Sequence, residues 1–306
     1  MAVPMRSTDF RSVVEPILNE VFDGVYDQRS DEWKMVFKEF NGTPRAYHEE
    51  PVLYGFGAAP ELPDGTPVTY QSGGVLFIQR LVYAVYGLAF ALTKVLVEDG
   101  DHISIGRTYA EHLAQSLIET KETLAANVLN YAFNGAYVGG DGVALIATNH
   151  PLAPPAGSFS NQLATAAALS QTSVEQMLIQ IRNAVDNNGK RIRLNPEQIV
   201  CSPSNVFQAE VILKSVLRAG TANNDINPIK SIGLLSKGQA NLTRLTSATA
   251  WWIQTNAPKG MVVAMRRRIE KTMEGDFETD SMRYKSTERY NINWIDPRAM
   301  WGTAGL

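Results

Sequence analysis

The side chains best suited to acid–base or metal chemistry are scattered through this sequence. Its four histidines are His48, His102, His112 and His150, and no two stand four apart, the spacing with which a helix presents a zinc pair. Each reads as a surface or hydrogen-bonded residue. The carboxylates Glu49-Glu50 lie in a Pro/Gly-rich stretch, where solvent is expected to keep both ionised. Gly139-Gly140-Asp141-Gly142 is not the Gly-x-Gly-x-x-Gly of a dinucleotide loop and follows a helical pattern instead of a strand, so it reads as a linker. Neither a Gly-x-Ser-x-Gly elbow nor a phosphate-binding Gly-x-x-x-x-Gly-Lys-Ser/Thr loop occurs.

Three further groups have a functional and a plain reading. Cys201 is the single cysteine, and its setting in Gln198-Ile199-Val200-Cys201 reads as a buried strand residue. Arg266-Arg267-Arg268 can meet phosphate, or can form ion pairs between subunits, since its side chains alternate faces on a strand. Trp251-Trp252 reads as core, with an interface role as the alternative. No catalytic, cofactor-binding or metal residues are expected, no cofactor is implied, and the chain is read as not an enzyme.

Composition sets the outer bounds. With 306 residues, 44% of them hydrophobic, the chain can bury a core as one large domain or two modest ones. A formal charge of -3 gives no sign of a dedicated nucleic-acid or anionic-membrane binder. The longest apolar run, Val75 to Val97, is broken by Gln79, Arg80 and Lys94, so no membrane span is expected and the chain reads as soluble in a reducing cytoplasm.

The elements that must position these residues follow from periodicity. From Asp9, Phe10, Val13, Val14, Ile17, Leu18, Val21, Phe22 and Val25 form one helical stripe, with Pro16 predicting a kink or a late start. A turn-rich excursion follows, in which Pro63-Asp64-Gly65-Thr66 joins Glu61-Leu62 to Val68-Thr69-Tyr70 as a hairpin would. Val75 to Leu92 reads as strand. Arg107 to Asn134 contains no Gly or Pro and keeps a helical period, which predicts a helix of roughly 42 Å. The middle alternates a helix near Thr172 to Asn188, a strand near Gln198 to Ser202 and a helix near Asn205 to Arg218, with a polar surface loop over Ala219 to Ile229. Met261 onward is strand, and Met282, Tyr284, Tyr290, Ile292 and Trp294 share one buried parity.

In this order of parts the chain resembles the major capsid proteins of tailed bacteriophages, with the Hong Kong 97-type fold, and the Mu-type major head subunits in particular. The most specific stretches are Thr120-Lys121-Glu122-Thr123-Leu124-Ala125-Ala126-Asn127-Val128-Leu129-Asn130, Thr148-Asn149-His150-Pro151-Leu152 and Tyr290-Asn291-Ile292-Asn293-Trp294-Ile295-Asp296-Pro297-Arg298. The resemblance implies an α+β fold in five parts: an N-terminal arm over 1–43, an extended loop and return strand over 44–92, a peripheral domain with its spine helix over 93–142, an α/β axial domain over 143–252, and the peripheral sheet over 253–306. It implies hexamers and pentamers closing an icosahedral phage head around double-stranded DNA, with the protein located in the virion after synthesis in the bacterial host cytoplasm. A portal is an implied partner, as is a separate scaffolding protein, because the arm helix starts within ten residues of Met1; a decoration protein stays open. Relatives that weld subunits together use a loop lysine, whereas no lysine stands between Lys38 and Lys94, so no such cross-link is expected. An arm and a hairpin without cores of their own call for partners that cover them. The alternatives are an encapsulin-like nanocompartment shell and, from another class, an α/β enzyme with an unrecognised site in 143–252. Deleting Pro60 to Gly74 is expected to leave a folded monomer and to block assembly; a lost thermal transition in circular dichroism would place that segment in the core instead.

Overall fold

The computed structural model describes residues 7–28, 31–93, 95–96, 102–218, 225–276 and 281–305. Along the first half of the chain run α1 (Ser7–Gln28), β1 (Lys38–Asn41), β2 (Tyr47–Tyr54), β3 (Gly74–Val82), β4 (Ala84–Leu92), α2 (His102–Asn130), β5 (His150–Pro151) and β6 (Ser158–Phe159). The second half adds α3 (Gln171–Arg182), β7 (Pro196–Cys201), α4 (Val206–Lys214), α5 (Pro228–Ile232), β8 (Gly238–Asn241), β9 (Trp251–Thr255), β10 (Met261–Asp276), β11 (Ser281–Trp294) and β12 (Met300–Thr303). Two four-stranded sheets result, ordered β1-β10-β11-β4 and β12-β9-β7-β8, beside the two-stranded β2-β3 and β5-β6.

Spacing by four explains α1, because Val14, Leu18 and Phe22 fall on one stripe and are all buried. The helix runs on through Pro16. Its stripe packs on Leu113, Ala114 and Leu117 of α2 and on Tyr284 of β11. The arm expected to need a neighbour's cover therefore buries its own stripe within the chain, a correction that follows from the long apolar face α2 offers. Phe10 and Val13 of the predicted stripe have side chains outside the described residues.

The spine helix α2 is 29 residues long, about 43 Å at 1.5 Å per residue. It starts earlier than the Gly-free stretch suggested and takes in Gly106, where an added Cβ would press on Leu18 and Leu92 at 3.3 and 3.4 Å. It stops short of the predicted Asn134 because Asn130 is tied sideways: its Nδ2 donates to the Arg244 carbonyl at 3.2 Å and its Oδ1 accepts the Thr246 N–H at 2.9 Å. About two turns earlier, Glu122 accepts the N–H groups of Glu32 and Trp33 at 2.7 and 3.1 Å. Burial pushes that carboxyl above the usual carboxylate range.

In the first sheet β11 follows its predicted alternation, with Tyr284, Tyr290 and Trp294 buried and Arg283 and Lys285 exposed. The expected single strand Val75–Leu92 is two strands in two sheets. It breaks at Tyr83, which turns into a small core with Leu81, Val262, Ala264 and Ile295 while its hydroxyl accepts the Thr43 N–H at 3.0 Å.

The second sheet carries α3, α4 and α5 on one face. Trp251 points to them and Trp252 to the opposite core shared with α2 and the first sheet, so the core reading of this pair holds on both faces of β9. Cys201 is buried on β7, and burial pushes its thiol up to about 11. The last strand, β12, was expected in the peripheral sheet but pairs with β9, because Pro297–Ala299 turns the chain after β11. Residues 219–224 of the predicted polar loop lie outside the described residues. Among the described residues no helix is long and apolar enough to cross a membrane.

One ion pair sits inside this scaffold. Lys121 Nζ donates to Glu288 Oε2 and to the Tyr26 hydroxyl, each at 2.7 Å, joining α2, β11 and α1. The Tyr26 hydroxyl in turn donates to Glu288 at 3.1 Å, and the ammonium lies 5.0 Å from the Tyr290 ring centroid. Burial and the nearby carboxylate push the Tyr26 phenol well above its ordinary range. Removing one partner strands the other as a buried charge, which costs ~3–5 kcal/mol. Lys121→Met or Glu288→Leu alone is thus expected to lower the denaturation midpoint sharply, and the double variant to recover most of the loss. Equal losses in all three would show that the pair acts as packing and not as a charge pair.

Candidate assembly interface

Several exposed apolar side chains lie on and beyond the hairpin of β2 and β3, whose ladder runs from Tyr47 opposite Val82 to Tyr54 opposite Gly74. Beyond it the chain forms no strand from 55 to 73. The predicted turn is present, closed by the Thr66 N–H donating to the Pro63 carbonyl at 3.1 Å with Gly65 at φ 78°. The strands predicted beside it are not: Pro60, Pro63 and Pro67 remove the N–H donors a ladder there would need, and pairing moves back to the hairpin root. Tyr70 is 96% exposed, and Phe56, Leu62 and Val68 are each more than half exposed. Clustered apolar exposure of this kind marks an interaction surface.

While the far end is bare, the root is fixed. Glu49 on β2 pairs with Arg80 on β3 at 2.6 Å, and that guanidinium lies 4.7 Å from the Tyr47 ring centroid. Glu50 pairs with Lys259 and lies 3.2 Å from His48 Nε2. The two glutamates, expected in a solvated loop, are strand residues with partners, because the Pro/Gly-rich stretch starts its ladder earlier than its composition suggested.

Two other contacts orient the root. Asn187 donates to the Leu53 carbonyl at 2.7 Å, and Asn188 and Lys190 donate to that of Phe56 at 3.1 and 2.6 Å. Asp186 shapes the turn that carries them by accepting the N–H groups of Asn188 and Lys190 at 2.8 and 2.9 Å. On the other side the Gly140 N–H donates to Gln79 Oε1, and a side chain on Gly140 would strike the backbone at Ile78. A side chain on Gly139 would overlap the Trp294 ring. The Gly139–Gly142 segment, read as a linker, is therefore also the bearing surface of β3.

The remaining candidates are dispersed. His112 is exposed on α2, and the side chain of His102 lies outside the described residues. His150, read from sequence as a surface or hydrogen-bonded residue, is buried and hydrogen-bonded between Asp141 and Asn161. Among the described residues no cluster of His, Cys, Asp and Glu is fit to hold a metal. The arginine run, expected to meet phosphate or a neighbouring subunit, has partners within the chain: Arg266 donates to the Pro44 carbonyl, Arg267 to Thr287 and Arg268 to Glu39. β1 and the hairpin start lie close enough to engage two of the three.

An α+β body whose hairpin leaves Phe56, Leu62, Val68 and Tyr70 exposed beyond a fixed root offers an apolar surface for contact with another chain. A protein-family model described as phage capsid protein matches residues 84–302, well over half the chain, and the chain belongs to that family. Its fold is of the Hong Kong 97 type. A virus-like particle from Pyrococcus furiosus is similar at 12% identity, over 94% of this chain and 98% of that one, with a TM-score of 0.52. The capsid of the cyanophage P-SCSP1u is similar at 9% identity, over 91% and 89%, with a TM-score of 0.57. The mature capsid of bacteriophage PhiM1 is similar at 11% identity, over 90% and 87%, with a TM-score of 0.55. No curated protein matches in sequence.

The variant Asn187→Ala/Lys190→Ala is expected to keep the thermal transition within a few degrees, since surface changes cost about 0.5 kcal/mol or less, while amide exchange over 53–57 rises. Unchanged exchange would mean that the β2-β3 ladder alone holds the root.

Proposed function

We propose that the chain is the major shell subunit of a tailed-phage head, forming hexamers and pentamers that close an icosahedral shell around double-stranded DNA. The observation that carries this is the hairpin, a surface rich in exposed apolar residues on a root fixed by Glu49, Asn187 and Lys190. Laid over an adjacent copy, it gives each subunit a reach beyond its own body, and many modest contacts of that kind add through linked geometry. The finer divisions proposed are the arm over 1–43, the extended loop over 44–92, the peripheral domain over 93–142 with β10 and β11, and the axial domain over 143–252 joined by β12.

The partners proposed beyond copies of itself are a separate scaffolding protein and a portal, with the packaged DNA held by non-specific contact. A decoration protein has no feature here that calls for it. The shell is held without covalent welding through the loop, since no lysine occurs between Lys38 and Lys94. Synthesis is placed in the host cytoplasm and final location in the virion.

Electron microscopy of the purified full-length protein, alone and with the scaffolding protein, is the direct test. Closed particles tens of nanometres across, or capsomers and tubes, are expected; their subunit count separates a phage head from a smaller nanocompartment. Strictly monomeric or dimeric protein under both conditions would overturn the proposal.

A further inference from the structure

His150 is completely buried, in a segment to which shell building assigns no task. Both of its ring nitrogens face acceptors: Nδ1 lies 2.7 Å from Asp141 Oδ2, and Nε2 lies 3.2 Å from Asn161 Oδ1. The Asn161 amide cannot be turned round. Its Nδ2 lies 2.7 Å from the Leu145 carbonyl, 3.1 Å from that of Pro297 and 3.0 Å from that of Met300, and its Oδ1 also accepts the Ala147 N–H at 2.9 Å. A neutral imidazole has one N–H and one bare nitrogen, so it satisfies one of these two acceptors and leaves the other facing a lone pair. Meeting both acceptors at once therefore needs a second proton, carried either by the ring or, with Nε2–H on Asn161, by the carboxyl.

The surroundings favour the ring. Asp141 Oδ1 accepts the Val143 N–H at 3.2 Å, which stabilises a carboxylate. Phe159 stacks on the imidazole with centroids 5.0 Å apart; the Arg298 guanidinium, 4.2 Å from the Phe159 centroid, works against a second positive charge and is offset by Asp296, bonded to it at 3.4 Å. Carboxylate and ring side chains are each 1% exposed, so bulk solvent does not reach the pair.

We propose that His150 stands in the folded subunit as a doubly protonated imidazolium, and that its ion pair with Asp141 is a positioning latch between the hairpin root and the junction of the two sheets. The path is continuous. Asp141 belongs to the turn whose Gly140 bears on β3, and Asn161 grips the Pro297–Met300 link between β11 and β12. The latch concerns the fold of one subunit and stands or falls independently of whether copies form a shell.

The test is nitrogen NMR of the protein labelled with 15N-histidine, recorded at about pH 8, above the range near 6.5 in which free imidazole loses its charge. His150→Asn identifies the signals by their loss. Two N–H-type ring nitrogens are expected for His150 in the wild type. In Asp141→Asn, whose amide can donate to Nδ1, one bare nitrogen is expected. A bare nitrogen in the wild type would place the second proton on Asp141 or nowhere, and would overturn the imidazolium whether or not the variant folds. Amide exchange is expected to rise in His150→Asn over 139–142 and over β3; exchange equal to wild type there would overturn the latch.

Discussion

The whole arrangement hangs on the burial of α2. Its N-terminal half, through Leu113 and Leu117, packs on α1 and on Tyr284 of the first sheet. Its C-terminal half, through Ala125, Ala126 and Leu129, enters the core that also holds Trp252 and Val200 of the second sheet and Tyr290 and Trp294 of the first. One helix is thus a common wall for both sheets, and neither sheet can shift without exposing apolar surface worth about 25 cal/mol per Å². Lys121, in its C-terminal half, adds a charge that is satisfied only while α1, α2 and β11 stay in register.

Much of this was legible in the residues. The period-four stripe of α1, the long α2, the alternation of β11 and the double burial of Trp251-Trp252 all follow from side-chain spacing, because local geometry decides which face is apolar. What spacing could not show were the pairings that depend on distant parts of the chain. Nothing near Tyr83 signals that one apolar run is shared between two sheets, since the break is set by Thr43 and by the core around Val262 and Ile295. Nor does anything beside Thr303 predict that β12 crosses to β9.

The interface was legible in part. Pro63-Asp64-Gly65-Thr66 announces its turn, and the shortage of apolar residues announces that the segment has no core. The root was hidden, because Asn187, Asn188 and Lys190 lie more than a hundred residues away from the carbonyls they hold. Polar residues in a glycine turn look like any solvated loop until the fold brings an acceptor to them. The buried Asp141–His150–Asn161 set lies close in sequence, nine and eleven residues apart, but at no helix or strand spacing that would announce the contact.

Pro60, Pro63 and Pro67 have a consequence beyond denying the hairpin a ladder. Each proline restricts its own φ and narrows its predecessor, so the bare segment has already lost much of its conformational freedom before it touches anything. Less entropy is then forfeited when it docks. A contact that starts from so small a deficit need not be individually strong, and weak contacts dissociate quickly. On the proposed packing over an adjacent copy, a misplaced subunit would leave before its neighbours trapped it, and a growing lattice would correct itself.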